Sequence, residues 1–166
     1  NTLKRTPISN PSIPTDNSYM SFIRRTRTTT PSNSLTTATT LNTTGTLKQG
    51  NYPASPLSIS LNKFGLIGNP YASQIDFRNV TKSIGIDNTF YVWDPKLTGS
   101  YGLGAYQTLT QNGSNYIITP GGGSYGSSGS VMNTIESGQA FFVHASATGN
   151  ISFTENAKSN GSNMVF

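Results

Sequence analysis

Between residues 51 and 166, the side chains able to do acid–base chemistry near neutral pH are one histidine, His144, and five carboxylates: Asp76, Asp87, Asp94, Glu136 and Glu155. A nucleophilic relay needs serine, imidazole and carboxylate in contact, and its members can lie anywhere in the chain. His144 is therefore weighed with Asp94 and a serine. It falls at the same strand parity as Phe142, opposite Phe141 and Val143, so it sits on the face turned away from those apolar residues. No Gly-x-Ser-x-Gly pattern stands at a strand-to-helix turn, and Gly126-Ser127-Ser128-Gly129 has the wrong spacing for one. His144 reads as a surface or strand-packing residue. The carboxylates show no paired spacing of the kind that two-acid glycoside hydrolysis requires. Asp87-Asn88 is too sparse for a calcium loop, and one histidine without any cysteine makes a zinc site implausible. The chain is expected to be a non-enzyme, with no catalytic residue, metal or cofactor.

Binding chemistry has two candidate locations. Tyr91 and Trp93, two residues apart on one strand and followed by Asp94, could offer flat rings for stacking on sugars. The plainer reading, in which Trp93 caps the core at a strand end, stands ahead of it. Arg24, Arg25 and Arg27 could meet an anionic partner such as lipopolysaccharide or an acidic glycan, with a solvated strand end as the plainer reading. The formal net charge of +5 is concentrated: residues 1–50 hold six basic groups against Asp16, and residues 51–166 hold five of each sign. That distribution lacks the dense basic patch of a nucleic-acid binder. Five Asn-x-Ser/Thr triplets, at Asn42, Asn79, Asn112, Asn150 and Asn160, are what 17 Asn among 45 Ser and Thr yield by chance.

The elements that must position these groups are strands. Ser, Thr, Asn and Gly make up 79 of 166 residues, yet aromatics remain at 10%, too many for a disordered polar tract. Turn formers beside β-branched and aromatic residues describe an all-β protein. Residues 1–17 carry Pro7, Pro11 and Pro14 and are expected to be an extended lead-in arm; residues 18–166 are expected to form one domain. Expected strands lie at Tyr19–Ile23, Leu41–Lys48, Leu57–Leu61, Phe64–Gly68, Phe90–Trp93, Ala105–Leu109 and Tyr116–Ile118, with a polar loop over 28–40 and Val131–Glu136 as the lead into the stretch that follows. Ile75–Ile84 is the one stretch that suggests a helical turn or two. Asn112-Gly113 marks a hairpin. Residues 120–130, nine of them Gly or Ser, are expected to be a flexible surface loop that buries almost nothing. The central feature is Gly138–Glu155. There Phe141, Val143 and Ala145 alternate on one face and Ile151 and Phe153 on the next strand, with Gly149 and Asn150 expected to supply positive φ for a hairpin. Eight to ten short strands point to a β-sandwich or jelly roll with at most one short helix.

No apolar run approaches the ~18–20 residues of a membrane span. Several segments together resemble a family of large surface and secreted proteins of Bacteroidetes, exported by the type IX secretion system. They are Tyr19–Arg24 with Arg27-Thr28, Thr44–Leu47, Leu66–Ser73 with Ile75–Phe77, Phe90–Pro95, Gly104–Tyr106 and Ile135–Val143, and they run in family order. The resemblance implies a β-rich module preceding a C-terminal sorting domain, an extracellular or cell-surface location, and membership in a larger polypeptide, in keeping with a chain that starts at Asn1 rather than Met. The expected role is adhesion or structural spacing. A carbohydrate-binding module is the first alternative and a hydrolase the second, with surface glycans or export-machinery components as possible partners.

Overall fold

The computed structural model describes residues 45–97 and 104–161. The expected arm, the strand at Tyr19–Ile23, the arginines at 24, 25 and 27 and the residues beyond 161 lie outside the described residues. The fold is all-β. In chain order the strands are β1 (Tyr52–Ile59), β2 (Lys63–Gly68), β3 (Ile75–Asp76), β4 (Thr81–Lys82), β5 (Ile86–Asp94), β6 (Ala105–Asn112), β7 (Asn115–Thr119), β8 (Thr134–Ile135), β9 (Ala140–Ala145) and β10 (Gly149–Phe153). Two 3-10 turns, Phe77–Asn79 and Glu155–Ala157, are the only helical elements among the described residues. The expected helix over Ile75–Ile84 is therefore a two-residue strand, one 3-10 turn and another two-residue strand. Asp76 ends it early: its carboxylate accepts from the Arg78 backbone and clamps the Arg78 guanidinium, caging a single tight turn.

All pairings are antiparallel. One sheet is ordered β1-β10-β4, a second β2-β9-β5-β6-β7, and β3 pairs with β8. The alternation legible in the sequence is the alternation of burial. Phe141, Val143 and Ala145 of β9, Phe90 and Val92 of β5, and Ile151 and Phe153 of β10 are all buried, with polar or half-buried residues between them. They meet Ile75, Phe77, Leu109, Ile118 and Ile135 in one core shared by all three sheets. Phe77 packs tilted on Phe90 at 4.2 Å between ring centroids and edge-on to Tyr116 and Phe141.

The Gly138–Glu155 stretch differs from expectation. β9 and β10 are not hairpin partners: β9 lies between β2 and β5 in one sheet, β10 between β1 and β4 in the other. The same bend occurs twice more, because β1 leads into β2 and β4 into β5 at the same corner. A three-stranded ribbon thus folds over on itself, and the arrangement is a sandwich. β9 and β10 each gain two flanking partners while their apolar sides face the opposite sheet, which a two-stranded hairpin cannot provide. Gly149 keeps an ordinary φ and starts β10. Its requirement is closeness: an added Cβ would stand 2.9 Å from the Gly85 carbonyl carbon and from Ser83 Oγ. Among the described residues Asn62, at φ 56, is the non-glycine residue that takes the left-handed conformation, in the β1–β2 bend, where its amide donates to the Ala145 carbonyl. The expected β6–β7 hairpin is present, pairing Asn112 with Asn115, so Gly113 and Ser114 form its two-residue turn. Tyr52–Ile59 strands earlier than the expected Leu57–Leu61, and residues 45–48 form no strand.

Candidate ligand-binding face

The inner side of the five-stranded sheet fills the core, so the odd–even rule sends the other half of each strand outward. Register fixes who sits beside whom. Phe64 of β2 opposes His144 of β9. One row runs Leu66, Phe142, Tyr91, Thr108, Thr119 across all five strands. Trp93 of β5 opposes Tyr106 of β6. Phe64 is 59% exposed, Tyr106 38% and Trp93 37%, while Tyr91, Phe142 and His144 are half-buried against one another. The rings are in mutual contact: Phe64 on His144 at 4.8 Å and on Tyr91 at 5.5 Å, Trp93 on Tyr106 at 4.9 Å, Tyr106 on Phe142 at 5.7 Å.

Trp93 is therefore not a core cap. Its neighbours Val92 and Asp94 point inward and Trp93 outward, where its ring lies over Gly104. Tyr91 and Trp93 do share the face expected of them. Asp94 does not join it, because it is fully buried. Its carboxylate accepts from the amides of Lys96 (2.9 Å) and Ser124 (2.8 Å) and from Gln107 Nε2 (3.2 Å). Gln107, equally buried, in turn donates to the Gly122 carbonyl and accepts from the Gly121 amide. These two side chains fasten the glycine-rich loop to the sheet end. The loop expected to bury almost nothing also packs Tyr125 against the core, with the phenol accepting from Gln139 Nε2 at 2.5 Å; burial pushes that phenol's pKa up. Gly123 lies so close to the carboxylate, at φ +64, that a Cβ would stand 2.2 Å from Asp94 Oδ2.

His144 finds a carboxylate, but Asp87 rather than Asp94: its Nδ1 lies 2.7 Å from Asp87 Oδ2. An ionised carboxylate can only accept, so Nδ1 carries the proton and Nε2 of the neutral ring keeps its lone pair for a further partner. Asp87 also takes hydrogen bonds from the Ser146 hydroxyl and amide, and these, with His144, hold its pKa below the usual carboxylate range. In a hydrolytic relay the serine bonds the imidazole and the carboxylate stands behind it. Here the serine sits on the carboxylate, the wrong end for activation. Among the described residues no three of His, Cys, Asp and Glu cluster closely enough to hold a metal ion, and no helix is long and apolar enough to cross a membrane.

The signal for this face was present in the sequence as parity: Phe142 and His144 opposite Phe141 and Val143, and Tyr91 and Trp93 opposite Phe90 and Val92. Phe64 and Tyr106 carried no such signal as site residues, since only the strand order β2-β9-β5-β6 brings them to the same face. Fold and site together define an all-β sandwich domain with an aromatic outer sheet face. The chain matches the family described as Domain of unknown function (DUF8693) over residues 9–166 and belongs to it. No curated protein and no solved structure matches the chain.

Proposed function

We propose that this domain is a non-enzymatic, extracellular adhesion module of a larger bacterial surface or secreted protein of the kind exported by type IX secretion. The observation that carries the binding role is the aromatic outer face of the five-stranded sheet. A pure spacer needs its inner face only, and contiguous exposed rings cost solubility unless something binds them. The non-enzymatic part is supported by the order of the polar contacts, with Ser146 on Asp87 rather than on His144. Location and lineage are supported by the resemblance of segments such as Phe90–Pro95 and Ile135–Val143 to exported surface proteins.

The test is surface labelling of the source bacterium with and without working type IX machinery, together with binding of the purified, labelled chain to intact cells. The expected result is export-dependent surface exposure, cell binding that falls in Trp93→Ala, and no turnover of esterase, glycosidase or peptidase substrates. Retention in the cytoplasm, or turnover abolished by His144→Ala, overturns the proposal.

A further inference from the structure

We infer that the outer face of the five-stranded sheet is a binding site for an uncharged polysaccharide chain, contacted by Phe64, Phe142, Tyr91, Trp93, Tyr106 and His144. The inference rests on the reading of the domain as a binding module and names the class of its ligand.

Four observations converge on that class. The first is ring content. From β2 to β6 the exposed apolar groups are aromatic, with Leu66 the one aliphatic side chain in the central row and Ile117 and Val131 set apart at the β7 edge. Sugar rings present flat C–H faces edged by hydroxyls, which suit aromatic faces flanked by hydrogen-bonding groups. The second is a fixed polar group among the rings. His144 packs tilted against Phe64 at 4.8 Å, and Asp87, itself held by Ser146, sets its tautomer and orientation. An imidazole ordered in advance spends less entropy on bonding a hydroxyl.

The third observation is charge. The outward residues of β2, β9, β5, β6 and β7 include no lysine or arginine, and Asp87 is their one carboxylate. Polyanions are recognised by cations, and the one on these strands, Lys63, is exposed at the start of β2 with the inward parity of Ile67, so the rings themselves have no cation among them to pair with acidic glycans, nucleic acids or lipid phosphates. The fourth is extent. From Phe64 on β2 to Tyr106 on β6 is three strand spacings, roughly 14 Å, and from the Phe64 row to the Trp93 row is four residues, roughly 14 Å again. An open face of that reach suits several consecutive sugar units of a polymer rather than a single enclosed sugar.

The test is affinity electrophoresis of the 166-residue chain in gels containing neutral polysaccharides (a β-glucan, a xylan, a mannan, a galactan) or anionic ones (alginate, heparin), at low and high salt. The expected result is retardation by at least one neutral polymer, unchanged by salt. Trp93→Ala and Phe64→Ala should each weaken it at least tenfold and His144→Ala several-fold. Ile84→Ser, at a fully exposed apolar residue off this face, should leave it unchanged. Thermal midpoints of each variant separate lost binding from lost fold, and Trp93→Phe, which retains a ring, should recover part of the affinity. Retardation by anionic polymers alone that disappears with salt overturns the inference, as does equal weakening by Ile84→Ser. If no polysaccharide retards the chain while Trp93-dependent cell binding persists, the ligand class is wrong and the binding-module reading stands. If cell binding is also absent, both fall.

Discussion

Lys82 carries its ammonium group into the space between two rings. Nζ lies 4.1 Å from the Phe77 centroid and 3.0 Å from the Tyr116 hydroxyl, and burial lowers its pKa to about 8 despite the favourable field of Asp76. The unfolded lysine keeps its proton to about pH 10.4. Between pH 8 and 10 the unfolded chain therefore binds more protons than the folded one, and folding stability should rise with pH across that window. Tyr116, pushed up to about 12 by burial, acts in the opposite sense only above its unfolded value near 10. Urea midpoints at pH 7, 8 and 9.5 should increase for the parent and stay level for Lys82→Met; a flat parent profile would mean that the amine is solvated. Asp94 offers a second case. Its two oxygens take three N–H donors in a fully buried site, so Asp94→Asn must turn an NH₂ toward one of them. A loss of about 1–3 kcal/mol is expected from the orphaned donor, measured as a shift in the denaturation midpoint. The sequence offered no sign that this carboxylate accepts from the Ser124 amide, 30 positions further on.

At the scale of elements, period-two alternation identified which residues of β9 and β10 point inward, and burial bears this out at Phe141 and Phe153, 1% and 0% exposed. Phe141→Ala or Phe153→Ala should cost about 3–5 kcal/mol, read from chemical denaturation. An unchanged midpoint would mean the ring is not part of the core. Alternation has no term for which strand lies alongside. A hairpin and a bend between two sheets bury the same side chains, and Gly149 suits both, by torsion in one and by close approach in the other. The contact with Gly85 decides it here, and two glycines 64 positions apart give no hint of each other in one sequence. The glycine-rich loop shows the complementary failure. Nine of its eleven residues are Gly or Ser, and of the other two, Pro120 and Tyr125, it is Tyr125 that packs against the core. Tyr125→Ala should lower the thermal midpoint and open residues 120–130 to limited proteolysis, whereas a dispensable loop would show neither change.

For the whole molecule, the fold class was legible because Ser, Thr and Asn between alternating aromatics leave few other packings, while the binding face was half legible. Each strand announced an outward parity, but four strands from distant parts of the chain had to be ordered before Phe64, His144, Tyr91 and Tyr106 became one surface. The same ordering has a thermodynamic consequence. The two larger sheets share three bent strand pairs and one continuous core, so neither can lose its partner without exposing Phe90, Phe141, Ile151 and Phe153 together. The domain should unfold as a single cooperative unit. Trp93, the only tryptophan, sits on the outer face of the five-stranded sheet and reports that sheet by fluorescence, whereas far-UV circular dichroism reports all three. In a urea titration the two signals should trace coincident transitions. Ile151→Ala, placed in the other sheet, should move both midpoints down equally by removing a fully buried side chain. A fluorescence transition that stays in place while the dichroism transition shifts would show the sheets melting separately, and would disprove the shared core as the unit of folding.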